Sequence, residues 1–337
     1  LGDRIGRTRA MAVSILFYAM FAGLGAYVRT QEQMLILRFI VGLGVGGVWP
    51  NAVALVSECW PDKAKPMVAG LMGAAINSGV LMLSQVAKGW QVTPESWRWL
   101  FHIAAAPAVL GLLVLFFLPE SPSWLASRRQ QTTKKRAAPL TELFRPSLIR
   151  ITLTGIMLGS IPLIGAWAAS KWMVPWADKI GGATHIGYKA MTLGWWAVGA
   201  IIGSIVGAHI AGKLGRRRSY FLISIGSFLL TIAMFQLTAP LRPSFFPIVF
   251  AQGFVATLFF GWLPLYLPQL FPVHVRAAGS GISYNVGRFA TAAGVLAAGG
   301  IFHLLGGSYP AVGSAAACIY AFGILAIWFV PDSVGAS

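Results

Sequence analysis

The sequence predicts an all-helical integral membrane protein built from two related halves of six helices each, with ten of the twelve helices present. Three observations lead there. The 337 residues are 57% hydrophobic and 10% charged, whereas a soluble domain carries about a quarter charged residues. Apolar stretches of roughly 20 residues recur, the length that crosses a bilayer as a helix. The chain also repeats. Its opening, Leu1-Gly2-Asp3-Arg4-Ile5-Gly6-Arg7-Thr8-Arg9, returns as Gly212-Lys213-Leu214-Gly215-Arg216-Arg217-Arg218, with Gly6 and Gly215 209 residues apart. Pro61, Lys65 and Gly70 return as Pro272, Arg276 and Gly281, 211 residues on. Two landmarks at nearly one spacing mark two halves of one repeat. In the second half about 60 residues precede the charged turn, so the offset predicts about 60 residues in front of Leu1, room for two helices.

Taken in order, the expected spans are 11–28, 35–56, 67–87 and 98–118, then 150–170, 190–211, 219–239, 245–267, 278–303 and 310–330. Residues 1–120 then form the remainder of the first half, helices 3–6 of the whole. Residues 148–337 form the second half, helices 7–12. Residues 121–147 are the linker, and its run from Arg128 to Arg136 is too polar to bury itself. It is expected to be a flexible tie lying on anionic headgroups.

The net charge of +17 invites a nucleic-acid partner, but apolar spans interrupt the basic residues. Most of the Lys and Arg fall in the loops on the side of the opening turn, including Arg4, Arg7, Lys63, Lys65, Arg128–Arg136 and Lys213–Arg218. The positive-inside rule makes that side cytoplasmic, with both chain ends on it and the spans in the plasma (inner) membrane. No nucleic acid is expected. Cys59 and Cys318 lie far apart, without metal-ligand spacing, and read as free thiols. No His/Cys cluster, P-loop or nucleophile elbow appears, so neither metal, cofactor nor enzyme activity is expected.

Within the spans the polar residues are few. Arg38-Phe39-Ile40-Val41-Gly42-Leu43-Gly44-Val45-Gly46-Gly47 contains G-x-G-x-x-G, but no strand precedes it, so it is no dinucleotide loop. Gly42 and Gly46 read as a packing face. Arg38 shares that face; a charge inside a span marks function, although near the outer end it can also snorkel. Arg288 lies mid-span, on one face with Gly281, Tyr284 and Asn285. Its repeat mate Asn77 reads as a structural hydrogen bond between helices. Gln252, Phe259, Trp262 and Tyr266 share a face that suits an organic ligand and equally suits packing or an interfacial belt. Trp167 and Ser170 are weaker candidates of the same kind. Gly199, Gly203, Gly207 and Ala211 step every four residues and predict close helix packing. None of the nine Asp and Glu residues falls inside a span.

The opening Gly-Asp-Arg-x-Gly-Arg turn, its worn repeat, and the helix ends Glu58-Cys59-Trp60-Pro61-Asp62-Lys63-Ala64-Lys65 and Pro119-Glu120-Ser121-Pro122-Ser123-Trp124 resemble the major facilitator superfamily of secondary transporters. The resemblance covers the whole chain and implies the major facilitator fold and alternating access around a midplane site. It implies a gate at the cytoplasmic ends built from Asp3, Arg7, Glu58, Glu120 and Arg216, with Asp3 accepting from a helix N-terminus near Ala277. A solvated, purely topogenic turn is the alternative. The sugar-porter signature is imperfect, with Ser123 where Arg is usual and Val330-Pro331-Asp332-Ser333 at the end. Either the protonatable carboxylate lies in the first two helices, where the resemblance places it in the first, or transport is not proton-driven. With no carboxylate in the spans, a substrate anion would balance Arg38 and Arg288. The expected function is proton-coupled transport of a small polar metabolite, an organic acid of aromatic-acid or sialate type, by a monomer. Arg38 and Arg288 are the candidate anion contacts, and Gln252, Trp262 and Tyr266 the candidate cavity contacts. A sugar porter, a drug-efflux antiporter and a non-transporting nutrient sensor are the alternatives.

Overall fold

The computed structural model describes residues 2–61, 64–90, 92–122, 124–126, 140–272 and 275–330, and among them all regular secondary structure is helical. That follows from the solvent. A chain in hydrocarbon must satisfy its own backbone N–H and C=O groups, and a helix does so internally. In chain order the helices are α1 (Gly2–Ile5), α2 (Arg7–Leu24), α3 (Gln31–Cys59), α4 (Lys65–Gly89), α5 (Trp99–Ala105), α6 (Pro107–Phe117), α7 (Ile149–Ile164), α8 (Met173–Gly181), α9 (Tyr188–Leu214), α10 (Arg216–Ile232), α11 (Phe245–Thr257), α12 (Leu263–Tyr266), α13 (Arg276–Leu296), α14 (Ala298–Leu304) and α15 (Tyr309–Ala326).

Eight helical stretches among the described residues are long and apolar enough to cross a membrane: Arg7–Tyr27, Gln31–Val56, Met67–Gly89, Trp99–Phe117, Ile149–Trp167, Tyr188–Leu214, Arg216–Leu237 and Tyr309–Phe329. The two other expected spans are helical as well, with reasons for falling short. The first runs as an apolar stretch only over Phe245–Gly261 and breaks at Trp262, whose φ is −136°. The second, α13, carries Ser280, Ser283, Asn285 and Arg288 on 21 residues.

Beside an apolar core, burial departs from that of a soluble protein. Ser204, Ser219, Ser224, Ser227, Thr192 and Thr231 are fully buried, whereas Phe116, Phe117, Leu296 and Leu304 are among the most exposed side chains. Lipid is as apolar as Leu, so large side chains lose nothing by facing it, and small and hydroxylated residues let helix backbones approach.

The chain divides into two compact units, the first comprising Leu1–Lys65 and Gln91–Lys135. In it α3 starts with a capping box, Thr30 accepting from Gln33 N and Gln33 reaching back. Its packing face is Gly44 and Gly47. A Cβ at Gly44 would crowd Phe17 and Tyr18 of α2, and one at Gly47 would crowd Ser14. A Cβ at Gly42 or Gly46 would meet nothing within 4 Å among the described residues, so the face expected from sequence to pack is not the one on α2: the helix turns it, with Arg38, away from α2. Arg98 ties the start of α5 to the end of α2, donating from Nε to Ala26 O at 2.9 Å and from Nη2 to Val28 O at 3.0 Å.

The second unit comprises Pro66–Trp90 and Arg136–Ser337. Chain order puts α4 in the first half, but it packs in this unit. A Cβ at Gly70 would press on the backbone of Ser204 and Ile205 in α9. Asn77 Nδ2 donates to Gly73 O at 3.2 Å and to Ser204 Oγ at 3.4 Å, the structural role expected of it. The glycine ladder of α9 also holds. Side chains at Gly199, Gly203 and Gly207 would overlap the carbonyls of Phe250, Phe254 and Leu258, so α9 and the 245–261 helix lie backbone to backbone. On α13 the face of Gly279, Ser283 and Gly287 packs against Phe271, Gly155, Gly159 and Ser160.

Candidate functional site

The opening turn is a charged latch. α1 ends at Ile5, and Gly6 turns the chain into α2 with a φ of +108°, a conformation that costs a side-chain-bearing residue dearly. The first amides of α2 have no partner within their own helix. Glu120 supplies one: its Oε1 accepts from Arg7 N at 2.8 Å, Thr8 N at 3.0 Å and Ser121 N at 3.0 Å. A carboxylate at this helix end is also favoured by the dipole. Thr8 Oγ1 donates to Pro119 O at 2.9 Å. The other carboxylate oxygen, Oε2, lies against Gly6 so closely that a Cβ there would overlap it.

Glu58 joins the same cluster. Arg7 Nε lies 3.3 Å from Glu58 Oε1, and Ser121 Oγ donates to Glu58 Oε2 at 2.5 Å. The ends of α2, α3 and α6 are thus tied by Arg7, Glu58 and Glu120, as the motifs suggest. Sequence reasoning missed Thr8 and Ser121, although Ser121 sits inside the Pro-Glu-Ser-Pro stretch. The side chains of Asp3, Arg4, Ser170 and Arg276, and the residues Asp62, Lys63, Ser123, Arg128–Arg136 and Pro331–Ser333, lie outside the described residues.

The repeat is visible in the backbone of the second half. Gly215 takes a φ of +80° and a ψ of 155°, close to Gly6 at 108° and 155°. Arg217, at the position of Thr8, donates from Nη2 to Val330 O at 2.7 Å. Arg216 goes elsewhere. Its guanidinium lies 5.0 Å from the Tyr266 ring centroid, and together they border a cavity of about 180 Å³ lined also by Trp262, Gln269 and small residues of α9. The Trp262 and Tyr266 rings are 5.5 Å apart. Trp262 Nε1 is buried with no hydrogen-bond partner among the described residues. One gate candidate and two cavity candidates therefore border one cavity, with the Arg216 guanidinium as its cation.

Gln252 is not at that cavity. It is fully buried, accepts from Trp196 Nε1 at 2.7 Å and donates to Thr231 Oγ1 at 3.1 Å. Arg38 is exposed on α3 with its guanidinium 4.8 Å from the Phe101 ring centroid. Arg288 is exposed on the side of α13 shared with Asn285, away from the packed glycine face. Neither arginine has a carboxylate partner among the described residues. No group of metal-binding side chains occurs among them, and both cysteines are free and exposed.

Comparison with known proteins places the chain. Residues 1–181 match the sequence profile described as Major Facilitator Superfamily. The chain is similar to a probable 4-methylmuconolactone transporter of Cupriavidus pinatubonensis, 26% identical across 99% of this chain and 77% of the relative. It is similar to a cis,cis-muconate transport protein of Acinetobacter baylyi, 29% identical across 91% and 76%. Among solved structures, FucP, a Major Facilitator Superfamily transporter in the outward conformation, superposes with a TM-score of 0.67 at 14% identity, across 98% of this chain and 84% of that one.

Proposed function

We propose that this chain, which belongs to the Major Facilitator Superfamily, carries a small organic carboxylate across the membrane together with a proton. It is a multi-pass membrane transporter of metabolites, not an enzyme. One observation supports an anionic substrate above the others: Arg38 on the Gln31–Val56 span and Arg288 on α13 are exposed within their own units and without a carboxylate partner among the described residues. A cation at membrane depth is costly unless something balances it. A substrate carboxylate does so in the loaded carrier. The relatives named for muconolactone and muconate agree with that chemistry.

In this reading the two six-helix halves, joined by residues 121–147, rock about a midplane site. The protein works as a monomer in the plasma membrane with both ends of this chain cytoplasmic. Arg38 and Arg288 hold the anion, Trp262 and Tyr266 line the path, and the Arg7–Glu58–Glu120 latch braces the cytoplasmic end, alongside Asp3 and Arg216. The test is uptake of radiolabelled cis,cis-muconate and benzoate by cells expressing the full protein, under an imposed pH gradient. Uptake should rise with external acid, and Arg38→Ala should lower it at least about tenfold, the size of one charge-assisted hydrogen bond. Unchanged affinity in Arg38→Ala removes the anion role. Competition by neutral sugars but not acids would move the substrate to the sugar class, which the Pro119-Glu120-Ser121-Pro122 stretch favours.

A further inference from the structure

Between α7 and α8 the helix loses its regular period. Gly165–Ala169 form a π turn and Ser170–Trp172 a 3₁₀ turn. Such irregular turns inside helices concentrate at functional sites. Here the result is a cavity of about 160 Å³, lined by Trp167, Lys171, Trp172 and Pro175 on one side and by Gly294, Val295 and Ala298 on the other. A lysine just past the outer end of a span ordinarily snorkels, stretching its ammonium into water. Lys171 does the reverse. Its Nζ is buried with no hydrogen-bond partner among the described residues, 3.4 Å from the Trp196 ring centroid and 5.5 Å from that of Trp167.

The rings around the ammonium are held in place, Trp196 lying behind the cavity and Trp172 in its lining. Trp196 is fixed from behind by Gln252, and Gln252 in turn by Thr231. Trp172 stacks on Phe302 at 6.0 Å with an interplanar angle of 8°. Indole faces attract the ammonium but offer its three N–H groups no lone pair, and a desolvated cation without an acceptor is costly. Lys171 and two indoles, Trp167 and Trp172, line the cavity, and the ammonium beside it, packed on Trp196, has no anion among the described residues. An apolar cavity of roughly 150 Å³ takes up benzene, so the volume suits a single ring or a short conjugated chain.

We infer that this cavity binds the carboxylate of a planar conjugated acid, with Lys171 as its counter-ion and Trp167 and Trp172 flanking the flat body. This rests on the carboxylate reading above and adds to it a contact for the acid apart from Arg38 and Arg288, met at a different stage of its passage, and the shape of the acid. Gln252 and Trp196 are positioning residues, acting through Lys171.

The test is equilibrium binding of radiolabelled benzoate to the purified protein, with benzamide as neutral isostere. Lys171→Met should weaken benzoate binding roughly 10- to 100-fold, the loss of a charge-assisted hydrogen bond, and leave benzamide unchanged. Lys171→Arg should stay within a few-fold of wild type, and so should Lys179→Met, which removes a charge outside the cavity. Loss of benzoate binding in both the Met and Arg variants, or in neither, overturns the assignment of Lys171. If the wild-type protein binds neither benzoate nor cis,cis-muconate, the carboxylate reading falls and this site with it.

Discussion

Replacing Glu120 by Gln keeps the shape of the side chain and removes its charge. Two of the bonds to Oε1 come from the first amides of α2, at 2.8 Å from Arg7 N and 3.0 Å from Thr8 N. Hydrogen bonds to an ionised group are worth about 1.5–3 kcal/mol, and neutral ones about 0.5–1.5 kcal/mol. Losing the charge therefore costs about 1 kcal/mol per amide. The interaction with the helix dipole adds about 0.3–1 kcal/mol. The sum, about 2–3 kcal/mol, corresponds to roughly 30- to 150-fold in the equilibrium that opens the first turn of α2. Hydrogen exchange followed by mass spectrometry reads that equilibrium at residues 7 and 8. Glu120→Gln should speed exchange there by this factor, while Glu95→Gln, an exposed carboxylate in a loop, should leave it alone. Unchanged exchange in Glu120→Gln would show that the bonds do not hold the helix end, and the latch would lose its physical basis.

Three further outcomes are expected. Gly6→Ala combines a φ of +108° with overlap on the Glu120 carboxylate, whereas Gly215→Ala has a φ of +80° and open space; the first should destabilise well beyond the ~1–2 kcal/mol of backbone strain that the second shows, measured by thermal unfolding in detergent. Gln252→Leu strands the buried Trp196 indole N–H, at a cost of about 1–3 kcal/mol, and should lower the melting temperature and shift the tryptophan emission; neither change would mean that the amide holds nothing. Burial lowers the Lys171 ammonium to about pKa 7, so benzoate binding should be strongest below that pH and fall as pH rises through it and above. Among the charged groups on the neighbouring elements, Asp178 pairs with Lys189 at 3.1 Å, Lys179 lies over Tyr309, and His303 lies against Phe302. A flat pH profile in wild type, or the same slope in Lys171→Met, would assign the titration to another group.

Much of the architecture was legible because it is local. Membrane helices reveal themselves by length and hydropathy, since each must satisfy its own backbone. The repeat shows because Gly6 and Gly215 serve turns with the same backbone requirement. The latch was partly legible for a related reason: charged residues at the ends of apolar helices are few, and Arg7, Glu58 and Glu120 have few possible partners. The ladder of Gly199, Gly203 and Gly207 was legible because its helix keeps the regular period throughout.

Where the period fails, the reading from sequence fails with it. Gln252, Trp262 and Tyr266 share a face only on a continuous helix, but the chain passes through a 3₁₀ turn at Leu258–Gly261 and breaks at Trp262. Gln252 then points into the core and Trp262 and Tyr266 border the cavity with Arg216. Gly44 and Gly47, not Gly42 and Gly46, meet α2, because the direction a helix face takes depends on its neighbour and not on its own spacing. Lys171 reads as a loop residue in any hydropathy count, yet the π turn before it swings the ammonium onto Trp196. The sequence by itself determined the helices, their repeat and the charged turn, through requirements each segment meets alone. Only the tertiary structure decided which polar groups find partners and which, among the described residues, do not, because that is settled by packing between segments distant along the chain.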